Sequence, residues 1–444
     1  MAAEEAAAKA AAASPEGVAA DQRKFQIQAF NAISSIGLNS FPKSHFLLTG
    51  SAGELPEQVD VEPHAIVLRS HKLQPDEVEP SVRAIARCGA GTNNIPIDSM
   101  TARGIPVFNT PGANANAVKE LVLCGLFLAS RGIHEGIRHV DEKILREEAG
   151  HKEVAARIEK DKKHFVGQEI RGKTLAVLGL GNIGAMIADS ALALGMDVVG
   201  YDPKISVDAA WRLPREVRKT ASLEEAFSLA DYVSINMPYI KGMTHHVVNS
   251  DVLARMKPGC HILNFARGEI VDGQALRHRY ENGHKGKYIC DFADEGMQSH
   301  PNFICIPHLG ASTAEAEDNC AKMAAEQIIK FLETGNIINS VNFPTAMLEV
   351  QDKKHTRLCI INENKPGVLG EITTLLGSMS VNIAQQLNTS RESVAYNVID
   401  TEGFPLDPTE IQTRIMEIQS VLSTRIIFTG SAGEGPSHFK TRAQ

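Results

Sequence analysis

The sequence predicts an α/β protein built on doubly wound parallel sheets, with a small βαββαβ module towards its C-terminal end. Three observations carry this. Between Lys173 and Pro203, an apolar run, a glycine turn, a helical stretch and a second apolar run follow one another within one βαβ length. On both sides of that stretch, short apolar runs alternate with helical patterns and stop at polar or glycine-containing turns. From about residue 356 the order changes to strand, helix, strand, strand, helix, strand over about 75 residues, a ferredoxin-like arrangement.

The central stretch reads KTLAVLGLGNIGAMIADSALALGMDVVGYDP. Leu175 to Leu178 has the length of a buried parallel strand. Gly179, Gly181 and Gly184 follow at GxGxxG spacing, with Asn182 and Ile183 between the last two. The first glycine permits the tight turn, the second lets backbone approach a pyrophosphate, and the third lets the helix pack close to the strand. Free N–H groups at the helix start then face the phosphates. Asp202 stands eighteen residues after Gly184, where an acid accepts hydrogen bonds from ribose hydroxyls and repels a 2′-phosphate, favouring NAD over NADP. This is a Rossmann-type unit.

The chain has 444 residues, enough for two to four domains with cores of ordinary size. A formal net charge of −8 speaks against nucleic acid or an anionic membrane as partner. No apolar run reaches the roughly 18 residues that span a bilayer. Seven cysteines are scattered without a CxxC pair, which fits a reducing compartment and argues against a disulfide framework or zinc site. Cys290, Cys305 and Cys359 lie in apolar strand-like runs, where core packing is expected. Residues 1–24 and 431–444 read as disordered tails. Glu4 and Glu5 count against a transit peptide. The expected location is cytoplasmic, or the plastid stroma if a leader has been removed.

Taken in order, the expected strands end at positions rich in polar residues. The run at 65–68 ends in Arg69-Ser70, that at 82–87 leads to Thr92 and Asn94, and that at 107–108 leads to Asn109. After the glycine turn, 232–236 ends in Met237-Pro238 and 261–264 in Phe265-Ala266-Arg267. The run at 287–290 ends in Asp291, and that at 303–306 in Pro307-His308. Helices are expected at 114–131 and 312–334, the second closed by Gly335, with a charged helical stretch at 132–172. In open parallel sheets such ends face the ligand crevice. Arg267 can hold a carboxylate in a planar fork that lysine cannot match. His308 can take a hydroxyl proton as hydride leaves. Glu295, with Asp294 as neighbouring competitor, can hold the imidazole and raise its pKa. The plainer alternatives are a surface ion pair for Arg267, a satisfied core histidine for His308 and a solvated loop acid for Glu295.

These residues stand in motifs that resemble the D-isomer-specific 2-hydroxyacid dehydrogenases: LRS at 68–70, AGTNN at 90–94, GIPVFNTPGANANAV at 104–118, GLGNIG at 179–184, NFARGEIVD at 264–272 and PHLGAST at 307–313. NENKPGVLGEI at 362–372 resembles an ACT regulatory domain. The resemblance implies a flavodoxin-like substrate domain in two parts, 25–114 and 315–345, around an NAD-binding domain at 115–314. A linker at 346–355 and the ACT domain at 356–430 would follow. It implies Arg267, His308 and Glu295 as catalytic residues. It implies NAD contacts from Thr92, Asn182, Ile183, Asp202, Met237, Pro238, Phe265, Ala266, Arg267, Asp291, His308, Gly310 and Ala311, besides the three glycines. Substrate contacts would come from Arg69, Ser70 and Asn94, with Asn114 beside them, and Lys72, Lys162 and Lys163 as further phosphate candidates. The implied reaction is NAD-dependent oxidation of 3-phosphoglycerate to 3-phosphohydroxypyruvate, the first step of serine synthesis. Glycerate, glyoxylate or 2-oxoglutarate chemistry, or a non-catalytic NAD-sensing scaffold, are the rivals. Asn364 and Asn382 would hold an amino-acid effector, and a homodimer or homotetramer is implied.

Overall fold

Apolar runs of four to six residues become the inner strands of parallel sheets because both of their faces are covered. The computed structural model describes residues 24–31, 33–50, 62–148, 150–349, 355–402, 408–428 and 439–442. Most of the expected tails and residues 350–354 of the expected linker lie outside them.

The first sheet contains β1 (Phe25–Phe30), β2 (Phe46–Gly50), β3 (Ala65–Leu68), β4 (Ala84–Arg87) and β5 (Val107–Phe108). All pair in parallel, in the order β2-β1-β3-β4-β5, which is flavodoxin-like. The second contains β6 (Thr174–Leu178), β7 (Asp197–Tyr201), β8 (Arg218–Lys219), β9 (Tyr232–Ile235), β10 (His261–Asn264), β11 (Tyr288–Cys290) and β12 (Phe303–Cys305). It is parallel throughout, in the order β12-β11-β10-β9-β6-β7-β8. Strand order reverses between β9 and β6, the Rossmann switch point. The stretch expected as one charged helical region breaks into Ile133–His139, a π turn at Val140–Ile144 and His151–Asp161.

The third sheet is antiparallel: β13 (His355–Glu363), β14 (Ile383–Arg391), β15 (Val394–Glu402), β16 (Val421–Phe428) and β17 (Phe439–Thr441), ordered β14-β15-β13-β16-β17. The tail expected to be disordered therefore contributes a strand. Thr441 pairs with Ser423, and the Arg83 guanidinium sits 4.7 Å from the centre of the Phe439 ring. A sequence of only three strand residues gives no periodicity to read.

The helices used below are α1 (Ala115–Ser130), α2 (Asn182–Ala193), α3 (Ala314–Thr334), α4 (Val368–Ser378) and α5 (Pro408–Glu417). Alternation along β13 sends Leu358 and Ile360 towards Ile372 and Leu376 of α4 and Ile411 and Ile415 of α5. Cys359 and Ile361 face the other way and share a core with Ile328, Phe331 and Leu332 of α3. The end of α3 is closed from that sheet. Arg425 donates to the Phe331 carbonyl at 2.5 Å, Arg357 to that of Thr334 at 2.8 Å and Tyr396 to that of Gly335 at 2.6 Å. The Thr334 and Gly335 carbonyls are among those a helix end leaves without backbone partners, while that of Phe331 also accepts the Gly335 N–H at 2.9 Å. Gly335 has a φ of 73°, and a Cβ there would lie 2.3 Å from the Cys359 sulfur.

Two compact units result. One joins the described residues up to Ala113 with those from Glu317 onward, and the other is Asn114–Ala316.

Candidate active site

The Asn114–Ala316 unit sets its chemistry along one sheet edge. Gly179 follows β6, Asp202 follows β7, Met237 and Pro238 follow β9, Arg267 follows β10, Asp291 follows β11 and His308 follows β12. With strands about 4.8 Å apart, the backbones leading to Arg267 and His308 leave the sheet about 10 Å from each other.

The glycine turn is built as its spacing implies. Gly179 has a φ of 88°, and a Cβ there would meet the Met237 nitrogen at 2.8 Å. A Cβ on Gly184 would lie 2.0 Å from the Gly179 carbonyl oxygen, so α2 can approach β6 only through a glycine. A Cβ on Gly181 would meet nothing within 4 Å, which leaves open space at the N-terminus of α2. Asp202 accepts the Leu180 N–H at 2.9 Å and the Lys204 N–H at 3.0 Å, so its carboxylate is fixed against the turn.

Arg267 is exposed, and its Nη1 donates to the Ala266 carbonyl at 2.6 Å. Its turn is shaped by Asn264, fully buried, whose Nδ2 donates to the Arg267 carbonyl at 2.9 Å and whose Oδ1 accepts the Ala266 N–H at 3.2 Å. Phe265 is buried against Gly125 of α1. Asp291 is buried at 2% exposure. Its Oδ2 accepts the Gly310 N–H at 3.2 Å, while its Oδ1 is buried with no partner among the described residues.

His308 and Glu295 are both exposed, and among the described residues no hydrogen bond joins them. The expected imidazole–carboxylate pair is therefore not formed in this state. The physical reason lies one residue earlier. Asp294 accepts the Met297 N–H at 3.1 Å through Oδ1 and so closes the turn, leaving the next side chain in solvent. Burial, opposed by those backbone bonds, holds the Asp294 carboxyl above its usual range. Asp294 is thus engaged in the loop, and of the two acids Glu295 is the one free to swing. Catalytic hydrogen bonds of this kind often tighten only with substrate bound.

Residues 127–310 match the family model described as D-isomer specific 2-hydroxyacid dehydrogenase, NAD binding domain. A D-3-phosphoglycerate dehydrogenase of Haemophilus influenzae is 30% identical over 379 residues, spanning 82% of this chain and 87% of its own length. The chain belongs to the D-isomer-specific 2-hydroxyacid dehydrogenase family. This dehydrogenase is also 27% identical to the D-3-phosphoglycerate dehydrogenase of Dictyostelium discoideum over 424 residues, 91% of this chain and 98% of the relative. The crystal structure of NAD+-bound 3-phosphoglycerate dehydrogenase from Entamoeba histolytica aligns with a TM-score of 0.54 at 22% identity. It covers 72% of this chain and 98% of that one, and at that identity speaks for the fold alone.

NAD is the family's cofactor, and the residues of this dehydrogenase fit it. The space over Gly181 admits a pyrophosphate, and the carboxylate of Asp202 is placed beside the turn for ribose hydroxyls. The unpartnered Oδ1 of Asp291 offers a buried acceptor to a carboxamide N–H. Met237, Ala266 and Ala311 are partly buried along the same edge, and Gly310 is buried.

The other unit holds the expected substrate residues of the dehydrogenase. Arg69, after β3, donates to Glu317 of α3 at 2.6 Å, and Ser70 is exposed. Asn94 donates to the carbonyls of Arg69 and His71 at 3.1 and 2.7 Å, while its Oδ1 is buried without a partner among the described residues. Thr92 is partly buried nearby in sequence, and Lys72 is exposed. In the Asn114–Ala316 unit, the buried Asn114 Oδ1 also lacks a partner among the described residues. Lys162 there pairs with Glu159 at 2.5 Å, as a solvated charge does.

Asn364 and Asn382 are not brought together. Glu363 pairs with Val394 and Ile383 with Thr401, so the two asparagines stand at opposite ends of the antiparallel sheet. Within one chain no small ligand reaches both.

Three residues escaped the sequence reading. Asn264 is a polar residue inside an apolar strand, a signal present but unused. Glu317 is revealed only by tertiary pairing. Arg212 donates to Asn182 at 3.2 Å beside the glycine turn, from a loop that carries no motif.

Proposed function

We propose that this chain oxidises 3-phospho-D-glycerate to 3-phosphohydroxypyruvate with NAD as acceptor. The observation that carries this is the single sheet edge on which the glycine turn, the orphaned acceptor of Asp291, Arg267 and His308 follow strand by strand. The named relatives support the choice of substrate.

Arg267 docks the substrate carboxylate and turns the C2 carbon towards the cofactor. His308 accepts the C2 hydroxyl proton at an imidazole nitrogen, and Glu295 swings in to stabilise the imidazolium. Bound NAD supplies the hydride acceptor. Asp291 holds the orientation through its buried carboxylate, and Asp202 selects against a 2′-phosphate. In the other unit, Arg69 is braced through its carbonyl by Asn94 and through its guanidinium by Glu317.

The chain is further read as a homo-oligomer whose effector site, if Asn364 and Asn382 share one ligand, is completed by a second copy. Their separation within one chain supports this reading.

The test is NADH oxidation by the purified full chain. Phosphohydroxypyruvate should be turned over at least tenfold more efficiently, in kcat/KM, than hydroxypyruvate, glyoxylate or 2-oxoglutarate. Equal efficiency on the unphosphorylated analogue would remove the phosphate from the assignment.

A further inference from the structure

Cys290 ends β11 and Cys305 ends the neighbouring strand β12, and the two are directly opposite in the parallel register. Side chains at opposed positions of this pair meet on one face. One rung earlier, Tyr288 and Phe303 are also opposite, and their rings stack at 5.5 Å. The cysteines form the next rung. The Cys290 thiol donates to the Phe292 carbonyl at 3.0 Å, and the Cys305 thiol donates to the same oxygen at 3.2 Å. Two sulfurs on one acceptor lie within about 6 Å of each other, and strands about 4.8 Å apart place their Cα atoms in the range a disulfide needs.

The two differ in access. Cys290 is buried and Cys305 is exposed. The exposed member is therefore not the core-packing residue its apolar surroundings predict. Burial pushes the Cys290 thiol up to about 12, so it waits as the second partner rather than attacking first.

We propose that Cys290 and Cys305 close into a reversible disulfide when hydrogen peroxide reaches the exposed thiol, and that this modification lowers activity. In the first step the Cys305 thiolate attacks one peroxide oxygen. The O–O bond breaks, a sulfenic acid forms, and the departing hydroxide is protonated to water. In the second step the Cys290 sulfur attacks the Cys305 sulfur. The S–O bond breaks, the Cys290 proton leaves with the hydroxide as water, and the S–S bond forms. Two thiols are oxidised, and one peroxide is reduced to two waters. A dithiol reductant reverses the bond by exchange.

The consequence follows from what the strands carry. Asp291 is the next residue after Cys290, and His308 is three after Cys305. Drawing the sulfurs to about 2 Å removes both donors from the Phe292 carbonyl and pulls the two loop roots together. This effect on activity rests on the roles proposed above for Asp291 and His308, whereas the bond itself does not.

The experiment uses the full chain, reduced, desalted, treated with hydrogen peroxide and alkylated before digestion without reductant. The expected product is a linked peptide pair containing Cys290 and Cys305, with dehydrogenase activity down at least fivefold and restored by dithiothreitol. Cys305→Ser and, separately, Cys290→Ser should lose the linked pair and keep their activity under peroxide. The exposed Cys124 reports that oxidant reached the protein. Oxidised Cys124 without the linked pair overturns the proposal, as does a bridge between other cysteines. A linked pair with undiminished turnover overturns its regulatory half. Because the peptide mass needs no turnover, a chain inactive on every substrate would still decide the bond.

Discussion

Asn264 shows how the residue scale works here. It never touches solvent, yet it holds the carbonyl of Arg267 and the N–H of Ala266, and so decides where the guanidinium starts. His308 has the opposite setting, exposed at the end of an edge strand with its ring at liberty. Replacing His308 with Ala should lower kcat by roughly 10²–10⁴-fold, the usual contribution of a positioned acid/base. NADH affinity, followed by fluorescence titration, should stay within about twofold, since the glycine turn and Asp202 are untouched. A parallel loss of both would assign the ring to cofactor binding instead. Arg267 and His308 were legible in the sequence because each terminates an apolar run inside a distinctive motif. The liberty of Glu295 was not, since it depends on Asp294 spending its oxygen on the Met297 N–H.

At the scale of elements, the two parallel sheets share a device. His64, just before β3, accepts the Gln26 N–H of β1 on Nδ1 at 2.8 Å. His261, at the start of β10, accepts the Lys287 N–H on Nδ1 at 2.9 Å. A ring that accepts through Nδ1 must be neutral there. Burial, aided by Arg83, lowers His64 to about 3, and burial, aided by Lys287, lowers His261 to about 4. The unfolded chain protonates both rings near 6.5, so their stabilisation is complete above that pH. It drains away as the pH falls from about 6.5 towards 4 and then 3. Melting temperature should therefore drop between pH 7.5 and pH 5. A His64→Asn, His261→Asn double variant should start lower at pH 7.5 but fall less steeply, and identical slopes would remove these rings from the account.

Strand positions were readable at this scale wherever burial on both faces produced a continuous apolar run, as in β3 and in residues 175–178 of β6. Strand ends in the third sheet were not. Pairing with β15 carries β14 through polar residues as far as Arg391, and pairing alone created β17.

At the scale of the whole chain, the ferredoxin-like order was legible from periodicity, but the use of its second face was not. That face is where β13 and β15 carry Arg357, Cys359, Tyr396 and Asp400, an unusual mixture for a surface and a reasonable one for a joint. Arg357 is fully buried and holds Asp400 in a fork at 2.6 and 2.7 Å while donating to the end of α3. Arg357→Ala should cost about 3–5 kcal/mol in denaturant melts, because it strands a buried carboxylate. The Arg357→Met, Asp400→Leu pair should recover most of that loss. A single variant as stable as the parent would show that Asp400 finds another cation.

The closure of α3 by three donors from the third sheet bears on how this protein can be cut. Ending the chain before His355 would strip Phe331 and Leu332 of their cover and leave three carbonyls facing water without the side chains that serve them. Such a fragment should be recovered in the pellet rather than as a freely soluble, unregulated enzyme. What resembles an appendage on the linear map is, in space, part of the wall that keeps the first sheet standing.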